Sequence, residues 1–317
     1  MHSNSTKPQH VHNQTNSSAT KGDGRRRRRK RRRSSCTTVA PIPSSPRIVT
    51  GLLERHPDGY GFLRNEARNW KREPTDPYVS RSKIESLHLQ QGDMVKAETS
   101  QQRKSHGCVV SQILSRNGET ALDQSAIPFE DRTPVSPRER LRLETAGGPM
   151  TTRVVDLLTP VGKGQRALIV APPRTGKTTI LRDIAKAVAS NDPQVHLAIL
   201  LVDERPEEVT DFRLEVPAEY FASNLDQPFA DHVRMAALAV DRCKRLAESG
   251  KDVVLVVDSL TRLARASNKT FSNGPIAQGG LRIRALEFPK SIFGAGRAFL
   301  EGGSLTVIAT ALVGTHS

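Results

Sequence analysis

Ala171-Pro-Pro-Arg-Thr-Gly-Lys-Thr178, entered from the apolar run Ala167-Leu-Ile-Val170, has the form of a phosphate-binding loop between a strand and a helix. In such a loop the backbone N–H groups and the positive end of the following helix wrap the phosphates of a nucleoside triphosphate. Lys177 then reaches the β and γ oxygens and the Thr178 hydroxyl can ligate Mg²⁺. Ala171 stands where the usual pattern has Gly, but the flanks support the loop. Ile180, Leu181, Ile184, Ala185 and Val188 recur at helical spacing, so strand, loop and helix come in the required order.

Four apolar runs show no polar alternation: Ala167 to Val170, Leu197 to Val202, Val253 to Val257 and Leu305 to Ile308. Such runs are expected to be buried on both faces, as in a parallel sheet covered by helices. Between the second and third lies a helical pattern with Asp231 as its expected N-cap and Gly250 just past its end. Residues 151–317 are therefore an α/β nucleotide-binding domain. Upstream, residues 119–150 are polar and broken by Pro128, Pro134 and Pro137, which predicts a linker.

Residues 48–118 hold five short strand-like pieces: Ile48 to Arg55, Tyr60 to Asn65, Tyr78 to Ser80, Met94 to Thr99 and Val109 to Leu114. Pro57-Asp58-Gly59 and Gln91-Gly92-Asp93 mark turns, and the set suits a small all-β barrel of the oligonucleotide-binding kind. Within Asp58-Gly-Tyr-Gly-Phe-Leu-Arg64, Tyr60 and Phe62 fall two apart on one strand and so on one face. Gly59 and Gly61 are read as clearing space there for a flat partner, a base-stacking platform. The alternative is that both rings belong to the barrel core.

The net charge of +15 points to a polyanionic partner, and nine consecutive cations at Arg25–Arg33 supply most of it. The rest of residues 1–47 is mostly Ser, Asn, Thr, Gln and Pro with few large apolar side chains, a composition that predicts a disordered tail. Its expected role is sequence-independent contact with nucleic-acid phosphates, with a merely solvated tail as the alternative. No run reaches the length of a membrane span and no signal-peptide core opens the chain, so a cytoplasmic protein without a membrane partner is expected. Cys36, Cys108 and Cys243 are far apart, without metal-ligand spacing.

Val253-Val-Leu-Val-Val-Asp258 is an apolar strand ending in an acid, the form in which phosphate-loop proteins hold Mg²⁺. A second strand ends in Asp203-Glu-Arg-Pro-Glu-Glu-Val209, which brings carboxylates to the edge where phosphates sit, and Glu204 is the candidate base for an attacking water. The alternative for this acidic segment is a helix-start cluster.

Together these residues resemble the bacterial transcription termination factor Rho family, hexameric RecA-like RNA translocases. The resemblance covers about Val49 to Ser317. It rests on DGYGFLR at 58–64, DPYVS at 76–80, GKGQRALIVAPPRTGKT at 162–178, DERPEEVTD at 203–211, DSLTRLARA at 258–266 and EGGSLTVIATAL at 301–312. It implies an ATP-dependent RNA translocase or helicase that releases nascent RNA from RNA polymerase, with ATP and Mg²⁺ as cofactors and a homohexameric ring as assembly. It also implies that Gly162, Lys163, Gly164, Gln165, Arg166 and Ala167, with Arg174, Thr175, Gly176, Lys177, Thr178, Thr179 and Arg205, line the ATP site. Glu204 would be the base, Thr178 and Asp258 the Mg²⁺ ligands, Arg262 a nucleotide-state sensor, and Lys177 a further catalytic residue. Single-stranded RNA would meet Gly59, Tyr60, Gly61, Phe62, Leu63, Arg64, Asp76 and Tyr78 on the barrel, and Gly279 and Gly280 in a central-channel loop.

Three departures qualify the resemblance. Lys104 and His106 stand where the family has a Glu and a Tyr, which implies less discrimination in favour of cytosine. In the channel loop Pro275 replaces a basic residue and Leu281-Arg-Ile-Arg284 replaces acidic and polar ones. The chain stops at Ser317, before the family's trans-acting arginine finger, so a shortened chain with little RNA-stimulated turnover is expected. Two other readings stand beside this one: a non-catalytic RNA- and nucleotide-binding remnant, and a rotary-ATPase-type subunit, against which the single-stranded-RNA barrel argues.

Overall fold

The computed structural model describes residues 47–101, 108–120, 127–271, 275–276, 280 and 282–314, which belong to one compact unit. The arginine tract, Lys104, His106 and Gly279 lie outside them. Strands β1 (Arg47–Arg55), β2 (Gly61–Arg64) and β3 (Tyr78–Val79), helix α1 (Arg81–Ser86), and strands β4 (Met94–Gln101) and β5 (Cys108–Arg116) form the first layer. The strands close into a barrel in the order β1-β2-β3-β5-β4. Each begins and ends within two residues of its sequence-predicted bounds.

Alternation along β1 gives it two buried faces. Leu53 joins Leu63, Val79, Ile84, Val95 and Val110 inside the barrel, whereas Leu52 points outward into a larger core with Trp70, Phe221 and Met235. Gly61 sits where an added Cβ would come within 2.8 Å of Leu53 and 2.9 Å of the Glu54 carbonyl, and Gly59 takes a turn conformation at φ +94°. The glycines flanking Tyr60 therefore serve the hairpin, which corrects their reading as space for a flat ligand.

The remaining elements are β6 (Pro134–Val135), β7 (Arg140–Leu141), α2 (Met150–Leu158), β8 (Val161–Gly162), β9 (Arg166–Ala171), α3 (Lys177–Asn191), β10 (His196–Glu204) and α4 (Pro206–Glu215). They continue with β11 (Glu219–Asn224), α5 (Phe229–Glu248), β12 (Asp252–Asp258), α6 (Leu260–Thr270), α7 (Ile283–Gly294), β13 (Arg297–Phe299) and β14 (Ser304–Leu312). The sheet runs β11-β10-β12-β14 in parallel. The far side of β14 is shared by parallel β9 and by antiparallel β13, which carries β6. Leu197, Ile199, Leu201, Val254 and Val256 pack into one core. Ala198, Leu200, Val202, Val253, Leu255 and Val257 pack into the other. That division explains the unbroken apolar runs.

Three expectations need correction. The segment 119–150 is not a free linker: Phe129 and Leu141 are fully buried, and β6 and β7 pair into sheets. Helix α5 starts three residues early with Pro228 as N-cap, so Asp231 lies in its first turn and complements the dipole instead of capping. Strand β9 is covered on one face only: Ala167 and Ile169 pack against the core, while Leu168 and Val170 on the other face are half exposed.

Barrel and sheet are joined by Glu54. It accepts from Arg64 (2.5 Å), Arg72 (2.7 Å) and, through both carboxylate oxygens, Arg234 on α5 (2.7 Å each). Burial alone would raise its pKa. The hydrogen bonds from Arg234 and Arg72, with the field of Arg64, outweigh this and hold it down at about 2. Trp70 reinforces the joint by stacking on Phe221 (5.4 Å) and donating to the Tyr220 carbonyl (2.8 Å).

Replacing Glu54 with Gln leaves buried guanidinium groups without their anion, a class of change that costs about 3–5 kcal/mol. Because the folded pKa is depressed, the stabilisation is present above about pH 4.5 and is lost as pH falls through about 2. Thermal melts of Glu54→Gln and parent should differ strongly at neutral pH and converge over that acid range. A constant difference across it would contradict the ion cluster.

Candidate functional site

The carboxyl ends of β9, β10 and β12 gather the motifs at one edge of the sheet. After β9 the loop turns through Arg174 (φ +62°) and Gly176 (φ +83°) into α3. Lys177 is buried and its ammonium donates to the Pro172 carbonyl (2.5 Å), across the loop. Thr175 also donates to Pro172 (2.7 Å), while Arg174 and Thr179 are exposed. The Thr178 hydroxyl donates to one Asp258 oxygen (2.9 Å) and Thr310 donates to the other (2.6 Å). A hydroxyl and a carboxylate so juxtaposed are hard oxygen donors, fit for a Mg²⁺ ion that takes its remaining ligands from water and phosphate. Among the described residues no cluster of three His, Cys, Asp or Glu side chains offers a fuller metal cage.

Glu204 ends β10 just beyond a register shift, where Asp203 is an extra residue in the left-handed region (φ +56°). Such a bulge re-aims the next side chain. Glu204 is 3% exposed and one of its oxygens lies 3.0 Å from Arg262 on α6, whose guanidinium also donates to the Asp203 carbonyl. Burial, opposed by Arg262 and aided by Asp258 and Glu208, pushes the Glu204 pKa up to about 8. Arg205, exposed, is the N-cap residue of the adjacent helix α4.

Gly162, Lys163, Gly164, Gln165, Arg166 and Ala167 lie away from this edge. They sit before or at the start of β9, which spans roughly 16 Å from Arg166 to Ala171 at the loop. There they close the opposite end of the sheet. Lys163 bridges Glu139 and Asp252 at 2.8 Å each, Gln165 accepts from Gly162 (2.7 Å), and a Cβ on Gly164 would lie 2.4 Å from the Ala298 nitrogen.

On the barrel, Tyr60, Phe62 and Tyr78 form a half-buried ring cluster, with centroids 5.5 to 5.9 Å apart. They stand outside the apolar barrel core. Arg64 lies 5.0 Å from the Phe62 ring and bridges Glu54 and Asp76 at 2.5 Å each; all three charged side chains are buried. Leu63 is buried in the barrel core. In the channel segment the Gly280 carbonyl accepts from Asn268 of α6 (3.4 Å). Glu54, His56, Trp70 and Arg234 escaped sequence reasoning, since none lies in a motif.

A phosphate loop with a hydroxyl–carboxylate pair at a parallel sheet edge defines a P-loop nucleotide-binding domain, here fused to a five-stranded barrel with an aromatic face. The family model described as the ATP synthase alpha/beta family, nucleotide-binding domain, matches residues 151–274, and that of the Rho termination factor, RNA-binding domain, matches residues 49–120. Transcription termination factor Rho of Akkermansia muciniphila is 46% identical over 274 residues, covering 85% of this chain and 58% of its own length. Those of Streptomyces coelicolor and Haemophilus influenzae are 47% and 44% identical, with 64% and 65% of their lengths covered. Over 85% of its length the chain is similar to the transcription termination factor Rho family. It spans about three fifths of the length of these relatives. No helix among the described residues is long and apolar enough to cross a membrane.

A carboxyl with a raised folded pKa holds its proton more tightly folded than unfolded. Its share of stability is full below about pH 4.5 and is lost as pH climbs through about 8. Glu204→Gln should therefore melt increasingly above the parent between those values, with a constant gap beyond them. A parent that gains on the variant as pH rises would contradict the buried, protonated carboxyl.

Proposed function

We propose that this chain binds single-stranded RNA on its barrel and Mg·ATP at its sheet edge, and acts in the cytoplasm as an RNA-dependent ATPase that promotes transcription termination. The observation that carries the reading is the joining of two sites in one unit: the ring cluster of Tyr60, Phe62 and Tyr78, and the Lys177, Thr178, Asp258 and Glu204 edge. RNA polymerase and a homohexameric ring are the partners that the relatives' name and the family resemblance suggest.

The chemistry follows from the residues. Lys177 and the loop N–H groups neutralise and orient the phosphates. Thr178 and Asp258 would hold Mg²⁺, which would compensate the charge of the phosphates. Glu204 takes a proton from the attacking water as the γ-phosphoryl group leaves ADP. Its pKa near 8 suits a base that must both accept and release a proton near neutrality, and Arg262 beside it favours the ionised form. Arg262 also ties that carboxyl to the Asp203 bulge, which suits a sensor of nucleotide state.

The reading is tested by crossed variants of the full chain. Lys177→Ala should abolish Mg·ATP binding in calorimetry and leave oligonucleotide affinity unchanged. Phe62→Ala should leave ATP affinity unchanged and weaken RNA binding by about 1–3 kcal/mol, the worth of one stacked base. ATP affinity retained by the first variant, or RNA affinity retained by the second, would contradict the assignment.

A further inference from the structure

The ring cluster is longer than the sequence motif. β1 turns into β2 through His56-Pro-Asp-Gly-Tyr60, closed by backbone bonds from His56 N–H to the Tyr60 carbonyl (2.7 Å) and from Gly59 N–H to the His56 carbonyl (2.9 Å). That closure sets the two side chains side by side. The imidazole lies on the Tyr60 ring with centroids 4.4 Å apart and planes 11° apart, the most nearly parallel ring pair among those on the barrel. Its Nδ1 accepts from the Asp58 N–H (3.3 Å) and lies 3.2 Å from an Asp58 carboxylate oxygen. Those contacts are made at the edge of the ring. They fix its orientation without occupying a face.

We propose that His56 is the outermost ring of the RNA platform and takes a base of its own, stacked on the face turned away from Tyr60. The inference rests on the reading of the barrel as a single-stranded-RNA site. Tyr60 already has one face covered by the imidazole, so a base reaching that end of the cluster meets His56 before it meets Tyr60. The imidazole side chain is 43% exposed, whereas Tyr60, Phe62 and Tyr78 are each half-buried. Stacking asks only for an accessible π face and accepts any base, so His56 adds length to the site and no sequence preference. Asp58, 74% exposed beside it, presents a negative charge at the turn. It repels a phosphate there and favours approach of the strand by its base.

The test uses the full chain, fluorescence anisotropy and a series of oligouridines of increasing length. For the longer oligonucleotides His56→Ala should bind roughly fivefold more weakly than parent or worse, the low end of base–aromatic stacking. His56→Phe should bind within about twofold of parent, because a ring replaces a ring. For the shortest oligonucleotides that bind, which the inner rings can hold alone, all three proteins should agree. Melting temperatures of both variants should match the parent, as expected for an exposed side chain.

Equal binding by His56→Ala and parent at every length overturns the proposal while leaving the RNA site standing. A loss in His56→Phe as large as in His56→Ala also overturns it, since charge or a hydrogen bond would then be acting and not a ring face. A parent that binds no oligonucleotide overturns the RNA reading itself, and this inference with it.

Discussion

The carboxylate of Glu54 is the interaction on which the arrangement depends. It lies on the same face of β1 as Leu52; on β2, Phe62 of the ring cluster stands opposite Glu54 and Arg64 of the ion cluster stands opposite Leu52. A charge taken out of water is costly unless each lone pair is met, and here three guanidinium groups meet them. One of those groups, Arg234, comes from α5 of the nucleotide-binding domain and also donates to the Trp70 carbonyl. The position of the ring cluster is therefore set by a strand pair whose neighbouring residues are bonded into the sheet domain. Barrel and sheet belong to one compact unit.

The nucleotide edge is assembled by the same economy of packing. A parallel sheet with both faces covered brings three strand ends together, and each contributes one polar element to an otherwise apolar layer. Asp258 is held through both oxygens by hydroxyls from α3 and β14, which fixes its carboxylate without adding charge. Glu204 has no such hydroxyl. It is buried beside Arg262 and other carboxylates, which leaves its proton affinity high. Two acids on adjacent strands thus acquire different characters from their surroundings, one bonded by neutral donors and one desolvated.

What was legible in the sequence had a local cause. The phosphate loop, the apolar strands and the barrel strands each announce themselves through spacing within about ten residues. The ring motif at Tyr60 and Phe62 was visible for the same reason. The joint was not. Trp70 sits in a polar stretch without periodicity, and its hydrogen-bond partner Tyr220 is 150 residues away. Glu54 looks like an ordinary charge ending an apolar strand until α5 folds over it. Gly162 to Ala167, given as ATP-site residues by the family resemblance, stand at or before the start of β9, at the other end of that strand from the phosphate loop. β11 escaped as well, since Glu219-Tyr-Phe-Ala-Ser-Asn224 mixes polar ends with an apolar centre too short to stand out.

The central proposal is that one compact unit carries two separate sites, a nucleotide edge and an RNA face. The most direct measurement is calorimetric titration of single-stranded RNA into the full chain already saturated with Mg²⁺ and a non-hydrolysable ATP analogue. The account predicts that RNA binds with one-to-one stoichiometry and that the nucleotide stays bound, giving a ternary complex. Displacement of the nucleotide by RNA, or failure of RNA to bind until the nucleotide is removed, would mean that both ligands use one site and would contradict it.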